Sequence, residues 1–105
     1  SPQAISTIAA QAALRSYGVV GMASMNLWDG LAGLVARDPP HGVEIHTTVD
    51  QVVIDLYVVI EYGTRISVVA SSVAHSVRYY VERALGMPVA AVNVHVQDLR
   101  VSDTD

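Results

Sequence analysis

Two acids, Asp55 and Glu61, stand in the apolar stretch VVIDLYVVIEYG from Val52 to Gly63. Paired carboxylates are the apparatus of glycoside cleavage, which holds them within about 10 Å of each other. Six residues along one strand carry these two about 20 Å apart, so that chemistry is not expected. Asp55, at mid-strand, is expected to pair with an arginine from a neighbouring element. The four histidines, His41, His46, His75 and His95, raise the question of a metal. His46 and His95 both fall on polar strand faces and would approach each other if their strands were adjacent. A zinc site needs three or four ligands with outer support, and no HExxH-like spacing is present. Solvated histidines are therefore the expectation. Ser71 and His75, one helical turn apart, are within hydrogen-bond reach. A nucleophile also needs an orienting acid, an oxyanion hole and usually a strained turn, and a mid-helix serine offers none of these.

Two further patterns bear on binding. Gly30-Leu31-Ala32-Gly33 matches the GxxG of KH nucleic-acid domains, but it holds Leu-Ala where a phosphate grip uses Lys or Arg. Arg78, Tyr79, Tyr80 and Arg83 place residue types common at binding hot spots on one predicted helix. The same side chains also snorkel over solvated helix faces elsewhere.

The elements that position these residues follow from periodicity. Ser1-Pro2 opens a helix on which Ile5, Ile8, Ala9, Ala12 and Ala13 share a face, until Tyr17-Gly18 stops it. Val19 to Ala23 is short and extended or irregular. Asn26 caps a second helix with the stripe Leu27, Leu31, Leu34 and Val35, weakened by Gly30 and Gly33. Trp28, at that helix start, is either core or an exposed anchor. Arg37 to Gly42 is a loop. Val43, Ile45 and Thr47 alternate with Glu44, His46 and Thr48 as a half-buried strand, and a turn at Val49-Asp50-Gln51 makes a hairpin with the Val52 stretch. Thr64 is expected to cap the longest helix, which carries Ile66, Val69, Ala70, Val73, Ala74, Val77, Val81, Ala84 and Leu85 on helical spacing until Gly86 and Pro88. The last strand sets Val92, Val94 and Val96 against Asn93, His95 and Gln97.

The order α-α-β-β-α-β describes one α+β domain over 1–105: two layers, with a small mixed sheet packed against a long amphipathic helix. At 105 residues and 51% hydrophobic content it can bury a core unaided. Without Phe and rich in Val and Ala, that core is built of small branched side chains. Having no cysteine, the chain has no disulfide framework, thiolate metal site or Cys nucleophile. Its formal charge of −4, with six scattered arginines and no lysine, offers phosphate backbones no general attraction. No apolar run approaches the ~20 residues of a membrane span, and no signal peptide is expected.

From Gly42 onward the residues resemble the alkaline shock protein family, small envelope-stress and general-stress domains of bacteria. The matching strings are Gly42-Val43-Glu44-Ile45, DLYVVIEYG from Asp55 to Gly63, and VNVHV from Val92 to Val96. Ile66, Val69-Ala70, Val77, Val81-Glu82 and Leu85-Gly86 continue the match between them. Ile5, Ile8-Ala9, Ala12-Ala13 and Gly18-Val19 extend it upstream. Two departures stand out. Lys near Glu61 and Pro near Ser67 are missing, and no acid accompanies Arg15-Ser16. The resemblance carries over no catalytic residue, no metal ligand and no cofactor. It implies a cytoplasmic domain, peripheral to the membrane through a partner, that self-associates or docks to a protein. A membrane-anchoring protein and a fatty-acid-kinase-like protein are the partners it suggests.

Both lines lead to a non-catalytic interaction domain of an envelope or general stress response. The half-apolar strand face of Val53, Tyr57 and Val59 is expected to be covered in part by the N-terminal helices and completed by a second copy or a partner. Arg78 and Tyr79 are the contact residues expected on the helix. The alternatives are a KH-like nucleic-acid module and a small-molecule binder holding an acyl chain between the N-terminal helices and the sheet.

Overall fold

The strand β3 (Val52–Glu61) organises everything around it. Its even-numbered residues Val52, Ile54, Leu56, Val58 and Ile60 are all buried, four of them completely. Such a β-branched, aliphatic face suits a strand with a second layer packed over it. The computed structural model describes residues 2–23 and 42–101. Within them the order is α1 (Pro2–Leu14), β1 (Val19–Met22), β2 (Val43–Thr47), β3, α2 (Ile66–Leu85) and β4 (Ala91–Arg100). The expected helix at Asn26, with Trp28 and the Gly30–Gly33 motif, lies outside the described residues.

Three strands pair with β3. On one side two short strands share its length: β2 runs antiparallel along Val52 to Leu56, and β1 antiparallel along Val58 to Ile60. They meet at Tyr57, whose N–H donates to the Gly42 carbonyl and whose carbonyl accepts from the Ala23 N–H, both at 2.8 Å. On the other side β4 runs parallel to β3, as a strand–helix–strand crossover requires. The sheet is mixed, as expected. A bulge between Val58 and Val59 leaves Gln97 as the extra residue of β4, so that Leu99 pairs with Ile60 beyond it.

Both helices cover the same face of this sheet. Val69, Val73, Val77 and Val81 form the buried stripe of α2, at strict four-residue spacing. Ala9 and Ala13 of α1 are fully buried beside them in one core cluster. Small side chains let the elements approach closely: a Cβ on Gly18 would lie 2.6 Å from a methyl of Val69. The first helix therefore does not cover the second face of β3. It lies in the α2 layer, because its alanine face matches the valine stripe.

Two local expectations also change. Thr64 does not cap α2; its hydroxyl donates to the Glu61 carbonyl at 2.8 Å, and Arg65 takes the cap position without a side-chain bond. Ile66 is 43% exposed and stands outside the stripe. Gly86 does close the helix, in a left-handed conformation with its N–H on the Glu82 carbonyl.

Candidate functional site

The sheet face away from the helices carries the polar side chains of three strands. The hairpin loop Thr48–Gln51 fixes the register, so Glu44 sits directly opposite Asp55 and His46 opposite Val53. On the other flank the parallel pairing sets Asn93 beside Asp55 and His95 beside Tyr57. Two carboxylates facing each other across a ladder repel. The neighbouring side chains offset this.

Asp55 is the centre. Its side chain is only 16% exposed. Its Oδ1 accepts from His95 Nε2 at 2.9 Å and from Asn93 Nδ2 at 3.2 Å, while its Oδ2 lies 3.2 Å from His46 Nε2. Glu44 Oε1 lies 3.6 Å from the same nitrogen of His46 and accepts from the Tyr57 hydroxyl at 3.3 Å. The Tyr57 and His95 rings stack with centroids 4.6 Å apart. His46 and His95 thus share a face as expected, but they flank Asp55 instead of meeting. The partners of Asp55 are these two histidines and Asn93, not an arginine.

The His95 hydrogen bond is the main reason that Asp55 titrates below the ordinary carboxylate range. Partial burial opposes it, and Asn93 with the charges of His95 and His46 adds to it. Tyr57 moves the other way, raised by burial first and then by the Glu44 and Asp55 charges. A carboxyl with a depressed folded pKa contributes stability above its unfolded pKa, near 4. That contribution is withdrawn as pH falls through the lower folded value. Denaturant titrations between pH 2 and 6 should show this acid loss in the wild type. Asp55→Asn should remove that part of the slope, leaving the neutral-pH plateau lower and flatter.

The five residues expected to form a contact surface do not make one patch. Val53 and Tyr57 are half-buried on the open face. Val59 is 5% exposed and offers nothing to a contact. Arg78 and Tyr79 belong to the helical layer. Arg78 is occupied in the fold: its guanidinium donates to the Val89 carbonyl, while Glu82 accepts from the Val89 N–H at 2.8 Å. Together they clamp the connection into β4. Tyr79 is half-exposed, stacked edge-on with Tyr80 and bonded through its hydroxyl to Arg83 at 2.7 Å. Nearby, a cleft of about 380 Å³ between α1 and α2 is lined by Ile8, Ala12, Arg15, Tyr80 and Arg83. It opens between the two helices, whereas the space between helices and sheet is filled by Ile54 and Leu56. Ser71, Ser72 and His75 lie exposed along α2.

Sequence reading grouped Glu44 with His46 on one polar strand face but did not bring them to Asp55. The signal was available in the hairpin: a four-residue loop between Thr47 and Val52 sets Glu44 opposite Asp55.

Residues 1–101 match the model of the alkaline shock protein 23 family, described as having a cell envelope-related function. The chain belongs to this family. Among relatives of the alkaline shock protein domain, YloU of Bacillus subtilis (strain 168), itself uncharacterized, is 39% identical over 105 residues, spanning 98% of this chain and 88% of YloU. Spy1614 of Streptococcus pyogenes serotype M6, also uncharacterized, is 33% identical over 103 residues, spanning 96% of this chain and 85% of its own. In three dimensions the alkaline shock protein fold is similar to MamM-CTD 215-293, with a TM-score of 0.57 at 12% identity over 93% of this chain and 99% of that one. That likeness bears on the fold alone.

Proposed function

We propose that the domain acts as a non-catalytic docking module of cell-envelope function, presenting the open sheet face and the β4 edge to a second copy of itself. The observation that carries this reading is the one-sided layering. Both described helices cover one face of the sheet, while Val53, the Tyr57–His95 stack and the flanking polar groups remain half-exposed on the other. Beside this face, β4 pairs only with β3 among the described strands. From Ala91 to Val96 it carries no proline, lysine, arginine, acid or bulge, the usual guards of a free edge, which begin only at the Gln97 bulge with Asp98 and Arg100. A two-fold pairing of such edges is self-complementary, since each copy supplies the same donors and acceptors. Membership in an envelope-related family fits a peripheral position held through protein contacts. Among the described residues no helix is long and apolar enough to cross a membrane.

Light scattering across micromolar to millimolar concentrations tests this reading. The wild type should rise toward twice the monomer mass, and Tyr57→Asp should stay monomeric while remaining folded. A wild type that stays monomeric throughout would overturn it. RNA retained at low salt would instead favour the KH-like alternative, which the acidic open face and the −4 charge do not support. A co-purified amphiphile detected by native mass spectrometry would favour the small-molecule alternative, with Arg15 and Arg83 at the helical cleft as cationic anchors for an anionic head group.

A further inference from the structure

The cluster on the open face has the geometry of a metal site. Ligand atoms of Glu44, His46 and Asp55 all lie within 4.8 Å of one another. His46 Nε2 lies 3.2 Å from Asp55 Oδ2 and 3.6 Å from Glu44 Oε1. Tetrahedral coordination at zinc–nitrogen and zinc–oxygen distances of 2.0–2.2 Å needs ligand atoms about 3.3–3.5 Å apart. Those two separations lie close to that spacing, and the hairpin register brings all three side chains together.

We infer that Glu44, His46 and Asp55 form a surface site for a divalent transition-metal cation of the zinc class, with His95 as the residue that positions Asp55.

Several features separate this cluster from an incidental ion pair. Each carboxylate already has outer support of the kind that metal ligands use. Tyr57 donates to Glu44, and His95 and Asn93 both donate to Asp55 Oδ1, leaving Oδ2 directed to the shared centre with His46. Two acids placed directly across a strand pair repel unless a positive charge sits between them. A dication does that more fully than one protonated imidazole. Three protein ligands leave a fourth position, and His46 at 59% exposure leaves it open to water. One imidazole with two carboxylates suits zinc, nickel or manganese better than the hard, water-retaining magnesium ion.

Isothermal titration with zinc ion alone tests the site, beside thermal melting of the same samples. One zinc per chain is expected, with the melting midpoint raised. His46→Ala, whose side chain takes no part in the core, should weaken binding at least tenfold and abolish the thermal shift. His95→Gln should weaken it by about 10–100-fold, as loss of an outer-shell partner does, with His46 ring resonances still moving on zinc addition. His75→Ala, a lone exposed histidine on α2, should bind as the wild type does. Magnesium in millimolar excess should not displace zinc. Absence of binding at millimolar zinc would overturn the inference. So would binding unchanged in His46→Ala, or lost in His75→Ala. Self-association is read separately, so failure of the docking proposal leaves this test intact.

Discussion

Leu56→Ala should lower unfolding free energy by about 2–5 kcal/mol, the range for truncating a buried leucine to alanine. Leu56 is completely buried at the middle of β3. It pairs with Val43 on one side and Val94 on the other, on the sheet face that α2 covers. A cavity there removes contacts from three strands and the helical layer at once. At about 4–8 °C per kcal/mol for a domain of this size, the melting midpoint should drop by about 10 °C or more. Urea denaturation should show a lower midpoint with an unchanged slope. A loss below about 1 kcal/mol would mean that this face of β3 is not the packed one.

Gly42→Ala should be the second most damaging change, for a different reason. Gly42 has φ +88°, and a Cβ added there would lie 2.9 Å from the carbonyl oxygens of both Ala23 and Tyr57. Both oxygens are backbone, and the Tyr57 carbonyl accepts the Ala23 N–H that joins β1 to β3. The left-handed conformation alone costs about 1–3 kcal/mol in a residue with a side chain, and the steric conflict adds to it. Gly63→Ala separates the two effects. Gly63 has a similar φ of +95° but nothing within 4 Å of its would-be Cβ. It should lose only the conformational part, so the difference between the two melting midpoints reports the junction of β1 and β2 at Tyr57. Equal losses would mean that the junction is looser than its hydrogen bonds indicate.

Periodicity carried most of the architecture. The even positions of β3 and the four-residue spacing of valines in α2 left little choice of face, and Gly86 marked where the helix ends. What periodicity could not say is which sheet face α1 would take. The stripe Ile5, Ala9, Ala12 and Ala13 is apolar toward either, and its fit to the valines of α2 emerges only in three dimensions. The last strand was half legible. Val92, Val94 and Val96 announced its inner face, but the bulge at Gln97 shifts the phase and returns Leu99 to that side. Bulges leave no alternation signal. The site was legible residue by residue and hidden as a set. Asp55, His46 and His95 were each placed on a polar face, yet their meeting depends on register, which the hairpin loop encodes only indirectly. Arg78 shows the converse. Its type suggests a contact residue, whereas its bond to Val89 makes it a fastening of the fold.

The proposed docking role rests on a contrast between the two flanks of the domain. On the helical side Val and Ala side chains fill the space against the sheet, and Arg78 and Arg83 are held by Glu82, Val89 and Tyr79. The opposite flank combines a stacked Tyr57–His95 pair, a charged cluster and a ten-residue strand edge.

A dilution series followed by amide and side-chain NMR is the most direct measurement of that assignment. From millimolar to micromolar protein, resonances of Val53, Tyr57, His95 and the outer edge of β4 should shift together along one curve, while those of Tyr79, Tyr80 and Arg83 stay fixed. A spectrum independent of concentration, or shifts confined to the helical residues, would contradict the open sheet face as the surface through which this domain assembles.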